Sequence, residues 1–324
     1  MKKSLIIIIL SILLFSSCNK KPSAPSCADG AHKLECIAST ENHVYKCKRA
    51  DCDYEEAPMP HYFEDGATEC IDCGISLESQ TLEFTLAGDG KSYIVRGIGS
   101  CELTHINIPS EYNGLPVTEI GEYAFSTKSS YKRYGFESVT IPSGITKIDK
   151  CAFMYCTNLT HVDLPPTLLN IGEAAFCETS LTDVVIPDSV TTIGKLAFGQ
   201  CTALTNINIP EGIKTLDSTF MDCTSLSEIV LPNSLELLNG TFISTAITHI
   251  DIPDNVHTID GAFIYSQLKS VNLGEGVKEI IGNAFMGTML EIVTIPSQVE
   301  CIDFGSFEEC AKLREVIFEN GFKK

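Results

Sequence analysis

The sequence predicts a β-rich solenoid. Coils of 21–23 residues stack a parallel strand ladder, with short turns or helices on the opposite side, behind a small Cys-rich domain. Three observations predict it. A proline follows Ile or Leu at Pro109, Pro142, Pro165, Pro187, Pro210, Pro232, Pro253 and Pro296, and Gly274 stands in the one missing place. A phenylalanine recurs in register with them at Phe125, Phe153, Phe176, Phe198, Phe220, Phe242, Phe263, Phe285 and Phe307. Between the two ladders apolar and polar residues alternate with the period of a strand.

One coil, Leu181 to Phe198, shows how each element follows from its residues. Val184 and Ile186 alternate with Asp183 and Val185, which reads as a strand with one face inward. Pro187 ends that strand because it has no N–H for the ladder. Val190 and Ile193 are three apart, the spacing of a short turn or 3₁₀ segment. Gly194 turns the chain, and Ala197-Phe198 drives a ring inward beside a small residue. No single coil can bury its apolar face, so stacking is what supplies the core.

The segments before the coils read differently. Lys2 and Lys3 precede an 11-residue apolar run, Leu5 to Phe15, too short to span a bilayer and suited to a signal peptide over residues 1–17. Ser16-Ser17-Cys18 then resembles the lipobox of bacterial lipoproteins, which implies acylation at Cys18 and a membrane held through lipid. Phe15 stands where that motif usually has Leu. Residues 18–26 form a polar tether with two prolines.

Residues 27–75 hold Cys27, Cys36, Cys47, Cys52, Cys70 and Cys73 with His32, His43 and His61. So small a module needs staples, and two kinds compete. Three disulfides suit an exported protein. Cys70-x2-Cys73-Gly74 instead has the knuckle spacing of a structural zinc site, with Cys47 and Cys52 as the opposing pair. Cys27, His32, Cys36 or His61 could extend or replace that set. The segment "VYKCKRADCDYEEAPMPHYFEDGATECIDCG" resembles short zinc-ribbon-like modules of bacterial surface proteins, although its first cysteine pair carries two extra residues.

Residues 76–324 form the solenoid with its N-terminal cap. The units "GITKIDKCAFMYCTNLTHVDLP" and "SVTTIGKLAFGQCTALTNINIP" resemble the BspA-like leucine-rich repeats of bacterial surface proteins. The opening "LAGDGKSYIVRGI…INIPSEYNGLPVTEIGEYAF" is similar to that family's N-terminal cap. The resemblance covers about residues 80 to 318. It implies a curved leucine-rich-repeat solenoid outside the cell that binds protein, without naming the ligand. Gly88-Asp89-Gly90 within the cap reads as a hairpin turn rather than a phosphate loop, because Thr85 stands where that motif needs its first glycine.

The strand pattern places two columns of side chains outward. One runs His105, Ser138, His161, Asp183, Asn206, Glu228, His249, Ser270, Ile292, Glu315; the other runs Asn107, Thr140, Asp163, Val185, Asn208, Val230, Asp251, Asn272, Thr294, Ile317. His161, Asp163, Asn206, Asn208, His249 and Asp251 are candidate protein-binding residues there. The three histidines are too far apart for one metal, roughly 10 Å and 19 Å at one strand step per coil. No nucleophile is evident beside them. A five-residue insertion within Ser126 to Phe136 adds a second candidate surface: Lys128, Tyr131, Lys132, Arg133 and Tyr134, cationic and tyrosine-bearing on an acidic chain.

Charge and composition exclude further classes. The chain carries a net charge of −19, or −21 without Lys2 and Lys3, which repels nucleic acid and favours cationic partners. It has no tryptophan for a sugar or base platform. No HExxH, GxSxG or dinucleotide fingerprint appears, so the expectation is no enzyme and no catalytic cofactor. Cys156, Cys201, Cys223 and Cys310 each follow a repeat phenylalanine by three residues and are expected to be buried small hydrophobes. Together these readings describe a lipid-anchored envelope protein that binds an extracellular-matrix or cell-surface protein. The alternative is a structural or scaffolding lipoprotein with a partner in its own cell.

Overall fold

The computed structural model describes residues 34–38, 42–47, 59–60, 82–98, 104–126 and 135–321. The chain divides into two compact units, Met1–Ser79 and Gln80–Lys324. In the first, β1 (Leu34–Ala38), β2 (Asn42–Cys47) and β3 (Met59–Pro60) form an antiparallel sheet in the order β1-β2-β3. Its register sets Cys36 opposite Tyr45 and Cys47 opposite Leu34.

The second unit opens with a cap. β4 (Leu82–Leu86) and β5 (Tyr93–Ile98) make an antiparallel hairpin. Its turn closes through Gly90 N–H to Ala87 O at 2.9 Å with Gly90 at φ 68°, which is the hairpin expected of Gly-Asp-Gly. β6 (His105–Asn107), β7 (Glu111–Tyr112) and β8 (Leu115–Ile120) follow. Phe84 stacks on Tyr112 at 4.1 Å, with Tyr93 edge-on to both, so aromatic rings seal the cap.

Each later coil contributes strands to two ladders. In chain order these are β9 (Ser138–Thr140), β10 (Lys147–Ile148), β11 (His161–Asp163), β12 (Asn170–Ile171), β13 (Asp183–Val184) and β14 (Thr192–Ile193). Then come β15 (Asn206–Ile207), β16 (Thr215–Asp217), β17 (Leu237–Asn239), β18 (His249–Asp251) and β19 (Thr258–Asp260). The last are β20 (Ser270–Asn272), β21 (Glu279–Ile281), β22 (Ile292–Ile295), β23 (Cys301–Ile302) and β24 (Glu315–Phe318). The first ladder consists of the strands that precede each proline. The second runs β5-β8-β10-β12-β14 and resumes as β16-β17-β19-β21-β23.

The second ladder corrects one expectation. The stretch from Val190 to Ile193 is not a 3₁₀ turn. The turn lies one step earlier, closed by Val190 N–H to Pro187 O at 3.0 Å, and Thr192-Ile193 pair in parallel with Asn170-Ile171. Pro142, Pro165, Pro232, Pro253 and Pro296 accept the same bond from the third residue after them. Proline suits that corner because its carbonyl is used and its missing N–H is not. At Gly274 no side chain fits: a Cβ would lie 2.5 Å from Ile252 O and 2.6 Å from Pro253 O.

The phenylalanines form a third line of contact. Rings from Phe125 to Phe307 stack coil on coil with centroids 4.9–6.1 Å apart, and Phe125 to Phe285 are fully buried. Phe136, from the end of the inserted loop, is also buried and meets Phe125 edge-on at 6.0 Å. The backbone two residues before and two after the ring is left-handed in coil after coil, as at Leu196 (φ 57°) and Gln200 (φ 59°). That kink aims each Phe N–H at the next coil, as in Phe176 N–H to Ala197 O at 2.8 Å and Phe198 N–H to Thr219 O at 3.1 Å. All eight such bonds run the same way.

The second ladder breaks once, between β14 and β16. There the count from the buried strand residue to the ring falls from five (Ile193 to Phe198) to four (Leu216 to Phe220). The ring stack is widest at the same place, 6.1 Å between Phe198 and Phe220. Thr219 Oγ1 is buried there without a hydrogen bond, whereas Thr241 Oγ1, one coil on, donates to Leu216 O at 2.8 Å.

Candidate functional site

The outward face of the first ladder is where the sequence-predicted binding residues meet. Alternation turns Val162, Val184, Ile207 and Ile250 into the core, so their neighbours on either side face solvent. Of the two outward columns only His105 and Ser138 are half-buried; the others are exposed. His161 Nε2 lies 3.3 Å from Asp163 Oδ1 on β11, and His249 and Asp251 repeat the contact on β18 at 3.3 Å. Asn206 is exposed on β15. Asn208, just beyond that strand, turns back on the coil before it: its amide donates to Ile186 O at 2.8 Å and accepts from Ile186 N–H at 2.7 Å.

The structure corrects the reading that no nucleophile sits beside the histidines. Ser270 Oγ lies 2.8 Å from His249 Nδ1, completing a Ser, His and Asp line across β18 and β20. The same contacts recur at His105, whose Nδ1 is 2.6 Å from Ser138 Oγ and whose Nε2 is 3.1 Å from Asn107 Oδ1. Asn in the acid's place marks this as strand-to-strand packing. Activation of a serine also needs water-excluded oxyanion donors, while here Ile252 N–H is committed to Asn272 O and the side chains stand in solvent.

The first ladder is interrupted, and three clefts open at its interruptions. It pairs β6-β9-β11, then β13-β15, then β18-β20, then β22-β24. The backbone of residues 227–231 bonds to neither neighbouring coil, and Ile229 is only half-buried where Ile207 and Ile250 are buried. A cleft of about 340 Å³ opens between β11 and β13, lined by His161, Asp163, Asp183 and Val185. One of about 440 Å³ lies between residues 227–231 and β18, lined by Glu228, Val230, His249 and Asp251. A third, of about 500 Å³, joins Asn206 and Asn208 to Glu228. Val185 is 74% exposed and Val230 84%. Asp183, Val185, Glu228 and Val230 were legible as column members but not as site residues; the signal was a valine two residues after an acid at both places.

Charge is distributed unevenly. On the second-ladder side four lysines pair with acids, Lys147 with Asp149 at 2.9 Å, Lys150 with Glu173 at 2.9 Å, Lys195 with Asp217 at 3.3 Å and Lys214 with Glu236 at 2.7 Å, while beside the first ladder Arg314 pairs with Glu291 at 2.6 Å. Burial opposes ionisation of Asp149, but hydrogen bonds from Lys147 Nζ and the Lys150 N–H outweigh it and hold the carboxyl below its usual range. The outward columns of the first ladder contain Asp163, Asp183, Glu228, Asp251 and Glu315 and no Lys or Arg.

Three of the four repeat cysteines are buried, as expected; Cys310, in the last coil, is only half-buried, because fewer coils cover it, and all four are bonded besides. Cys156, Cys201 and Cys223 donate S–H to the carbonyl of the preceding coil's phenylalanine, at 3.2 Å to Phe125, 3.1 Å to Phe176 and 3.1 Å to Phe198. Burial pushes the Cys201 thiol up to about 11 and raises those of Cys156 and Cys223 as well. Cys301 is exposed on β23.

Cys18, Cys27, His32, Cys52, His61, Cys70 and Cys73 lie outside the described residues, as do Lys128, Tyr131, Lys132, Arg133 and Tyr134. Cys36 and Cys47 are described as strand backbone. Among the described residues no three His, Cys, Asp or Glu side chains group as metal ligands, and no helix is long and apolar enough to cross a membrane.

Comparison with known proteins adds the following. The family described as "BspA type Leucine rich repeat region" matches residues 118–242 and 236–324, in six copies. Among solved structures, the chain is similar to a leucine-rich repeat protein of T. pallidum, at 27% identity over 50% of this chain and 86% of that one, TM-score 0.40. It is similar to the pneumococcal vaccine antigen PcpA, at 17% identity over 75% and 83%, TM-score 0.45. It is also similar to a leucine rich cell surface protein of Faecalibacterium prausnitzii, at 18% identity over 74% and 93%, TM-score 0.37. No curated protein matches.

Proposed function

Because the chain belongs to the BspA-type leucine-rich repeat family, we infer that it is an exported envelope protein that binds another protein through the outward face of its first strand ladder. One observation carries this reading. That face sets carboxylates beside valines left 74% and 84% exposed and carries no Lys or Arg in its outward columns, while Lys150, Lys195 and Lys214 pair with acids on the other side. Exposed apolar side chains within a charged field of one sign suit a partner of opposite sign. Cys18 serves as the lipid attachment point and residues 18–26 as the tether. The basic loop at Lys128 to Tyr134 provides a second contact with the same ligand.

The test uses full-length protein to capture candidate ligands from extracellular-matrix and envelope fractions. Val185→Arg and Val230→Arg should abolish capture, while Thr192→Arg and Thr258→Arg, on the second ladder, should not. Equal loss from both pairs would place the ligand elsewhere. Protease treatment of intact cells separates an adhesive role, in which the coils are cleaved, from a scaffolding role, in which they survive.

A further inference from the structure

Two of the clefts on the first ladder are built from the same four parts. Each has a His-x-Asp strand, His161 with Asp163 or His249 with Asp251. Each faces a coil that supplies one more carboxylate and one exposed valine: Asp183 with Val185, or Glu228 with Val230. In the first cleft the His-x-Asp strand comes first along the chain; in the second it comes second. The imidazole-to-carboxylate distance is 3.3 Å in both. Asp183 and Glu228 have no ion-pair partner among the described residues, unlike Glu173, Asp217 and Glu236 on the other side.

These parts match one kind of side chain. A lysine or arginine carries an aliphatic stem that packs on valine and a cationic head that sits between two carboxylates. Both clefts occur where the ladder bonds stop, so the floor is open backbone with room for a side chain. A nucleic acid or an anionic membrane would meet repulsion from the same carboxylates.

Spacing narrows the ligand further. The clefts are offset by three coils, which is at least about 14 Å, since paired strands lie about 4.8 Å apart and several of these coils are unpaired. An extended polypeptide covers about 13–14 Å in four residues and points residues i and i+4 to the same side. The third cleft, at Asn206 and Asn208, keeps the path between them open.

We propose that the two clefts receive a pair of basic side chains, at i and i+4, from an extended segment of a partner protein laid along the solenoid axis. The proposal rests on the reading that the first-ladder face is the ligand surface, and it adds which chemistry that face selects.

The experiment titrates full-length protein into fluorescent synthetic peptides of one composition, Ser, Thr and Val with two lysines, differing only in lysine spacing. Anisotropy at low ionic strength should show the i, i+4 peptide binding about fivefold more tightly than the i, i+2 or i, i+7 peptides. Asp183→Asn and Glu228→Gln should each remove that preference, and Glu279→Gln on the second ladder should leave it. Circular dichroism melting of each variant verifies folding, which exposed isosteric changes should preserve. Equal affinity for all spacings, or a preference that survives in the Asp183→Asn/Glu228→Gln double variant, overturns the proposal. If spacing has no effect while Val230→Arg still abolishes ligand capture, the face stands and only the two-cleft rule falls.

Discussion

Thr219 and Thr241 hold equivalent places, one residue before a buried ring, and differ by one hydrogen bond. Replacing each by the isosteric valine should therefore have opposite effects. Thr219→Val removes a buried, unsatisfied hydroxyl and should stabilise by about 1 kcal/mol, while Thr241→Val removes a buried hydrogen bond to Leu216 O and should destabilise by about 0.5–1.5 kcal/mol. Chemical denaturation of the two variants measures both, and a shared sign would refute the contrast. Phe198→Ala should cost about 3–5 kcal/mol, since a buried ring between two others leaves a cavity; an unchanged melting temperature would mean the ring is not in the stack. The Cys201 thiol binds its proton more tightly folded, about 11, than at its ordinary 9.0. Its contribution is intact below pH 9 and declines as pH rises toward 11, so melting temperature should fall across that window and less so in Cys201→Ser. Mass spectrometry after alkylation at pH 8 should find Cys301 modified and Cys156, Cys201 and Cys223 protected until the chain unfolds. Burial of these cysteines was legible from their register with phenylalanine; their S–H bonds were not, because nothing local says which carbonyl lies in the next coil.

At the level of the element, a strand of three residues before proline announces itself by alternation, and every one expected there except residues 227–231 is present as strand. The second ladder escaped notice because strands such as Thr192–Ile193 are two residues long, too short to display a period. The clefts escaped for a related reason. Whether two neighbouring coils exchange backbone bonds depends on their relative tilt, which side-chain pattern does not encode. Gly274 gives a sharp case. Eight coils have proline at that place, so Gly274→Pro looks like a consensus improvement; yet a Cβ there meets two carbonyl oxygens at 2.5 and 2.6 Å. The substitution should destabilise by about 1–3 kcal/mol or prevent folding, as overpacking does. A higher melting temperature would show that the corner can relax.

For the whole molecule, stability is a sum over neighbouring coils, so weak seams matter more than weak residues. The seam between β14 and β16 keeps the ring stack and the Phe N–H bonds but loses the second ladder. Hydrogen exchange should show β5 to β14 and β16 to β23 protecting as two blocks, with the amides of residues 228–230 exchanging faster than those of Ile207 and Ile250. Uniform protection across the seam would contradict this. Overall charge predicts the association behaviour: with −19 on the chain, the on-rate for a cationic ligand should fall steeply as salt rises from about 50 to 300 mM. The pitch of the stack has a further consequence. The ring stack and the Phe N–H bond are shared by coil after coil, so a coil between the clefts can be copied or dropped without unmaking those joints. Each such event moves the two clefts apart or together by about 4.8 Å, while a bound strand advances in steps of about 3.4 Å. The two scales behave as a vernier that agrees near three coils against four residues. Recognition in such a protein changes by copy number, and a duplication can redirect it while every surface side chain stays as it was.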